Sequence, residues 1–169
     1  KELLERIFIP QGNIAFLDAE FNAGLNHRTG ERTNDVISIG LVICDWNYKP
    51  VKKFYSLIKP TNDIPIYSMI TKMTGITDEM LEGQPQFVEV SDKITDLVKK
   101  YNVKEIFTWG ASDQHSLMQE KINVKERKCD GYQHASRWSY IGMCTDISGA
   151  ISAGMLGIKG GLSINMENL

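Results

Sequence analysis

Acidic residues follow two apolar segments that lie far apart in the sequence. Asp18 and Glu20 come after the apolar run 14–17, and Asp113 follows the segment 106–109. Two carboxylates one residue apart, joined by a third on folding, would form an oxygen-rich site of the kind that binds Mg²⁺ or Mn²⁺. A pair of such ions can bind both the attacking and the leaving oxygen of a phosphodiester. These residues therefore predict a metal-dependent nuclease.

An Asp-x-Glu pair is weak evidence when taken alone, because its commoner meaning is two solvated carboxylates at the end of a strand. Here Asp18 follows four apolar residues, and Phe21 comes directly after the pair. We therefore expect a partly buried setting, in which unpaired carboxylates are costly unless a cation or hydrogen bonds compensate them.

The composition is that of one globular domain spanning residues 1–169. Hydrophobic residues make up 42% of the chain and charged residues 24%, and the length is sufficient for a real core. The formal net charge is −2, whereas a protein that binds duplex nucleic acid through bulk electrostatics is normally basic. A metal-dependent nuclease remains compatible with this charge, because bound cations invert the sign of an acidic site.

Cysteine usage and hydropathy predict a cytoplasmic protein. Cys44, Cys129 and Cys144 form no Cys-x-x-Cys pair, so neither a zinc site nor a disulfide framework is indicated. No apolar run is long enough to span a membrane, and the charged residues 1–6 do not resemble a secretory signal. We expect no membrane partner, and the sequence leaves the oligomeric state open.

The periodicity of apolar residues predicts an α/β protein. Strands are expected at 14–18, 36–44, 51–58, 106–109 and 138–144, with a polar loop at 23–35. Helices are expected from Thr77, at 87–101, about 113–122, 146–155 and from Ser163. Glu20 and Asp113 fall just beyond strand ends, where open α/β sheets usually place their sites.

Four segments together resemble the DEDD 3′-to-5′ exonuclease superfamily, which includes polymerase proofreading domains, oligoribonuclease and RNase T. Residues 16–21, Phe-Leu-Asp-Ala-Glu-Phe, resemble its first motif, and residues 109–113, Trp-Gly-Ala-Ser-Asp, its second. Residues 56–60 resemble the family's third strand and the turn after it, and residues 67–77 the segment between the two motifs. The Thr-Gly-Ile-Thr sequence at 74–77 is most similar to the histone-mRNA 3′-exonuclease and KapD-like branch.

The third motif of the DEDDh branch is a His followed by an Asp five residues later, and this pair is missing here. His27, His115 and His134 all lack an Asp at that spacing. Residues 162–169 resemble the helix that precedes the motif. We therefore expect the chain as given to be a single exonuclease domain that stops before its own third motif, and to be nearly inactive for that reason. A naturally degenerate enzyme is the alternative.

The resemblance implies a ribonuclease H-like fold, a central mixed five-stranded sheet flanked by helices. It also implies an exonuclease with two Mg²⁺ or Mn²⁺ ions that releases nucleoside 5′-monophosphates from the 3′ end of single-stranded nucleic acid. In that scheme Asp18 bridges both ions, Glu20 binds one, and Asp113 supports the metal site. The missing His would be the general base, and the missing Asp a further metal ligand.

The resemblance also assigns contacts with the terminal nucleotide. The positions that match those of relatives are Ala19, Phe21, Met73 and Ile76. Arg32 could guide a strand toward the metals, although an exposed loop residue is the simpler interpretation. Phe107 and Trp109 are expected in the core.

Two other classes of protein remain as alternatives. A non-catalytic nucleic-acid-binding or scaffold domain could share the fold, but it has no need for three converging carboxylates. An α/β enzyme of unrelated chemistry would need a cofactor or nucleophile motif. The glycine-rich segment 157–161 lacks the Gly-Lys-Ser/Thr ending of a phosphate-binding loop, so it does not supply one.

Overall fold

The computed structural model describes residues 12–25, 30, 32–62 and 64–148. Its strands are β1 (Asn13–Leu25), β2 (Arg32–Cys44), β3 (Pro50–Leu57), β4 (Val103–Thr108) and β5 (Cys144–Asp146). Its α-helices are α1 (Ser68–Thr74), α2 (Asp78–Leu81), α3 (Phe87–Lys100) and α4 (Ala111–Glu126). Two 3-10 helices follow α4, at Tyr132–Arg137 and Ser139–Met143.

The five strands form one mixed sheet in the order β3-β2-β1-β4-β5. β1 pairs antiparallel with β2, and β2 with β3, whereas β1 and β4, and then β4 and β5, are parallel. This arrangement confirms the predicted α/β sheet. In the part of the chain that the structure describes, no helix is long and apolar enough to cross a membrane.

The alternation of side chains along β1 separates the core from the acidic residues. Ala15, Leu17 and Ala19 are buried in the main core, against apolar side chains of α3 and α4. Phe16 and Asp18 lie between them in the sequence and are exposed on the opposite face. Because successive residues of a strand point to opposite faces, the core-facing positions fix the direction of the acidic side chain.

Helix α3 confirms the helix expected at 87–101. Its buried apolar residues recur at helical spacing at Phe87, Val90, Ile94 and Val98. At its start the Gln86 N–H donates to Glu89 Oε1 at 3.4 Å, which satisfies a backbone donor that the helix itself leaves free. The helix therefore forms because one face is apolar and its first turn is capped.

The polar loop expected at 23–35 is wrong, because β1 and β2 continue as a paired arm. Pairing runs from Asn22 opposite Asp35 to Leu25 opposite Arg32. The polar side chains of this arm have distant partners that no local pattern reveals. Asn22 Oδ1 accepts the N–H of Tyr67 at 3.0 Å, for example.

The strand expected at 138–144 is also wrong for most of its length. Trp138, Tyr140 and Ile141 are all fully buried, a pattern that a 3-10 helix satisfies and an alternating strand does not. Trp138 Nε1 donates to Asp92 of α3 at 2.8 Å. Helix α1 was not predicted, and it buries none of its residues. The helices expected at 146–155 and from Ser163 fall almost wholly or wholly outside the described residues.

Candidate active site

The candidate site lies along the part of β1 that no longer pairs with β4. β4 pairs with β1 only from Asn13 to Phe16, so the next residues of β1 have a free edge on that side. The start of α4 meets this edge, and the Ala19 N–H donates to Asp113 Oδ1 at 3.2 Å. Because Ala19 lies between Asp18 and Glu20, this bond brings the two predicted motifs together across 94 residues of sequence.

A tight turn between β4 and α4 sets the position of Asp113. Gly110 has a φ of 112°, in a region that favours glycine. Its N–H donates to Asp146 Oδ1 at 2.9 Å, and its carbonyl accepts from the Thr108 hydroxyl at 3.1 Å. Asp113 then falls in the first turn of α4, where the helix dipole favours a negative side chain.

Burial raises the proton affinity of the three carboxylates, and the charge of Asp18 raises it further at Glu20 and Asp113. Burial, and then the charge of Asp18, raises the pKa of Asp113 to about 6, although the hydrogen bond from Ala19 acts in the opposite direction. Burial raises the pKa of Asp18, and burial followed by the charge of Asp18 raises the pKa of Glu20. Among the described residues, no Lys, Arg or His side chain forms an ion pair with any of the three. The site therefore carries uncompensated negative charge.

The donor set fits a divalent cation but does not form a complete metal cage. Carboxylate oxygens are the ligands that Mg²⁺ and Mn²⁺ prefer, and the unpaired charge at this site would be neutralised by such an ion. Within the described ranges, however, no three His, Cys, Asp or Glu side chains are grouped closely enough to hold a metal by themselves. Asp18, Glu20 and Asp113 are thus a partial ligand set.

The predicted nucleotide-contact residues differ in what they expose. Met73 on α1 is 75% exposed and free to contact a ligand. Ile76 is buried in a second core cluster, and Phe21 packs partly against the main core. Ala19 is buried, and its N–H already binds Asp113. The structure therefore leaves Met73 as the side chain of this set with the largest free surface.

The sequence did not reveal an apolar groove on the face that carries Asp18. The groove has a volume of about 740 Å³. Its apolar lining includes Phe16, Val42, Tyr55, Phe107, Trp109 and Ile147. Phe107 and Trp109 were expected in the core but are only half-buried. The available signal was the alternation of β1, which places Phe16 on the same face as Asp18.

Comparison with protein families identifies the class. The profile of the RNase T exonuclease family matches residues 15–139, most of the chain, and includes all three carboxylates of the site. The chain belongs to this exonuclease family, which confirms the prediction of the DEDD superfamily. No curated protein sequence matches the chain.

Solved structures of exonucleases share the fold. A 3′-exonuclease that recognises the 3′ end of a histone mRNA stem-loop is 18% identical, with a TM-score of 0.58 over 69% of this chain and 41% of that chain. The nuclease domain of the DEDDh enzyme 3′hExo, bound to rAMP, is 15% identical, with a TM-score of 0.55 over 72% and 71%. E. coli exonuclease I in complex with a dT13 oligonucleotide is 17% identical, with a TM-score of 0.58 over 85% and 29%.

These similarities confirm the ribonuclease H-like exonuclease fold. The chain spans less than half of the histone-mRNA exonuclease and less than a third of exonuclease I.

Proposed function

We propose that this site hydrolyses single-stranded RNA or DNA from the 3′ end and releases nucleoside 5′-monophosphates. The observation that carries the proposal is the hydrogen bond from the Ala19 N–H to Asp113 Oδ1, which assembles the acidic residues of two distant motifs. The membership of the exonuclease family supports the same reaction class.

Each acidic residue has a part in this proposal. Asp18 and Glu20 would hold divalent cations on the exposed face of β1, with Asp113 completing that side of the site. The Ala19 N–H orients the Asp113 carboxylate, since it binds one of the two oxygens. When bound, Mg²⁺ or Mn²⁺ would activate the attacking water and stabilise the charge that develops on the phosphate.

The substrate is proposed to enter with its terminal nucleotide near α1. Met73 presents an exposed, flexible and polarisable side chain there, and such a side chain can pack against the face of any base. Relatives that bind a dT13 oligonucleotide or a histone mRNA stem-loop support a single-stranded 3′ end as the common feature.

The test of this proposal is hydrolysis of single-stranded RNA and DNA in Mg²⁺ or Mn²⁺, with and without EDTA. The products should be nucleoside 5′-monophosphates, and EDTA should abolish their release. A strand that ends in a 3′-phosphate should react more slowly. Release of nucleoside 3′-monophosphates, or activity that survives EDTA, would contradict the proposal.

A non-catalytic nucleic-acid-binding domain is the second candidate. Two observations favour it: the described residues form no complete metal cage, and no His in the sequence is followed by Asp at the spacing of the third motif. A domain of this kind would bind single strands and leave them intact in both Mg²⁺ and Mn²⁺. The same assay, read for binding as well as for products, separates the two functions.

A further inference from the structure

A second groove lies between the β1–β2 arm and the start of α4. Its volume is about 630 Å³. Its lining residues are Ala23, Gly24, Leu25, Arg32, Thr33, Asn34 and His115. It shares no lining residue with the apolar groove, and none of the three carboxylates lines it.

This groove lies further along the β1–β2 arm than the acidic site. His115 follows Asp113 by two residues on α4, so the two side chains leave the helix on different sides. Ala23 follows Ala19 by four residues on β1, a separation of about 13 Å at the usual rise of a strand. A strand with its terminal linkage at the carboxylates could therefore place in the groove a phosphate that lies a few nucleotides from the 3′ end.

Two side chains of the groove are available to a ligand. They are the guanidinium of Arg32, which is always charged, and the imidazole of His115. The side chains of Arg32 and His115 are exposed, and neither forms a hydrogen bond or ion pair with another described residue. By contrast, Asn34 Nδ2 donates to Ser116 Oγ at 2.6 Å, which holds the arm against α4. The floor of the groove is thus fixed, while its two outer polar side chains remain free.

We propose that Arg32 and His115 bind a backbone phosphate of the substrate strand a few nucleotides upstream of the scissile linkage. The guanidinium group can form two parallel bonds to phosphate oxygens, and an imidazole has an N–H to donate in either protonation state. Phosphate contacts of this kind fix the register of a strand without reading its bases. The inference rests on the proposed function, because it assumes that the strand ends at the carboxylates.

The charge arrangement explains why such a contact is needed. Asp18, Glu20 and Asp113 repel every phosphate except those bound through a cation, and the chain as a whole is acidic. A cationic side chain just beyond the carboxylates would hold the strand at the site. We expect the contact to act on binding and on the register of cleavage.

The test compares single strands of about 12 nucleotides that are intact or carry one neutral methylphosphonate linkage near the 3′ end. Binding is measured in Ca²⁺, which takes oxygen ligands as Mg²⁺ does. Arg32→Ala should reduce the slope of log affinity against log salt by about 0.7, the value for one phosphate on a single strand. His115→Gln should weaken binding several-fold. The neutral linkage should lower the affinity of the wild type when it lies a few nucleotides from the 3′ end, and it should not lower the affinity of Arg32→Ala any further.

Lys93→Ala is the matched control, because Lys93 is exposed on α3 and its substitution also removes one positive charge. It should leave the effect of the neutral linkage unchanged. Additive losses for Arg32→Ala and the neutral linkage, or an equal change of slope for Lys93→Ala, would overturn the proposal. A wild type that binds no single strand would instead contradict the proposed function, so the two failures are distinguishable.

Discussion

At the scale of single residues, the position of Asp113 depends on a backbone donor from the other motif. Its carboxylate is buried beside two others, and the N–H groups of Ala19 and of Asp113 itself stabilise its charged form. Asp18 differs from Asp113, because its side chain is exposed and contributes charge to the site without filling the core. These two environments predict different results for substitution at the two positions.

In a protein that carries the third motif, Asp18→Asn should abolish hydrolysis without unfolding the protein. It removes a metal ligand's charge and keeps the shape of the side chain. The loss of activity should exceed ~10²-fold, because replacing even a residue that only hydrogen-bonds a metal ligand commonly reduces activity by up to that factor. Stability should change by no more than ~0.5 kcal/mol, as expected at an exposed position. Product release and thermal unfolding measure the two effects.

Glu105→Gln is the matched control, because Glu105 is an exposed carboxylate of β4 on the same sheet. It should retain full activity. An active Asp18→Asn protein, or an equal loss for Glu105→Gln, would show that Asp18 has no special part in the reaction.

At the scale of elements, Asp92 joins α3 to the turns that precede β5. Its Oδ1 accepts from Trp138 Nε1 at 2.8 Å, and its Oδ2 lies 2.6 Å from His134 Nδ1. Burial acts to raise the pKa of Asp92, but these hydrogen bonds and the nearby charges of His134 and Arg137 lower it overall. The charged carboxylate therefore stabilises the fold.

Asp92→Ala should destabilise the protein by about 1–3 kcal/mol, because it leaves the buried Trp138 Nε1 without its acceptor. The native pKa of Asp92 lies below the ordinary range of an aspartate, so its contribution to stability is fully present above that range. The contribution is lost as the pH falls through the lower native value. Denaturant unfolding at neutral pH and along an acid series should show that Asp92→Ala is less sensitive to acid than the wild type.

Asp96→Ala provides the comparison on the same helix. Its side chain is 70% exposed, and its ion pair with Arg137 is long at 3.8 Å. Exposed pairs of this kind contribute little to stability. If both variants were destabilised equally, the account of Asp92 as the link between α3 and the turns would be wrong.

The sequence predicted those helices and strands in which the buried apolar residues follow the period of the element itself. α3 and most of β2 follow this rule, because their buried apolar residues recur at the period of the element. The β1–β2 arm and the 3-10 helix Ser139–Met143 do not, since they depend on distant partners such as Tyr67 for the arm and Ser91 for Tyr140 of the helix. Patterns within a segment contain no information on such partners.

The same distinction holds for the candidate site. Asp18, Glu20 and Asp113 were visible as motifs, and the sheet topology accounts for their meeting. The sequence could not show that Ile76 is buried while Met73, three residues earlier, is exposed. That difference depends on how α1 and the segment after it pack on the rest of the molecule.

At the scale of the whole molecule, one face of the sheet is covered by α3 and α4, while an apolar groove remains on the face of Asp18. Within the 169 residues, no His is followed by Asp at the spacing of the third motif.

The 169 residues alone should therefore be nearly inactive compared with a protein that also carries this His and Asp pair. The absence of a general base alone typically reduces a rate by ~10²–10⁴-fold. Turnover of one single-stranded substrate by both proteins measures the difference. Equal turnover would remove the reason for assigning the chain to the His-type branch.

The most direct test of the central claim follows the length of a 5′-labelled single strand treated with a protein that carries this domain together with the third motif. We predict that the labelled strand shortens stepwise from its 3′ end in Mg²⁺ or Mn²⁺, and that neither EDTA-treated protein nor Asp18→Asn shortens it. Immediate release of the labelled 5′ nucleotide, cuts at internal positions, or shortening that persists in EDTA would contradict a metal-dependent 3′-to-5′ exonuclease.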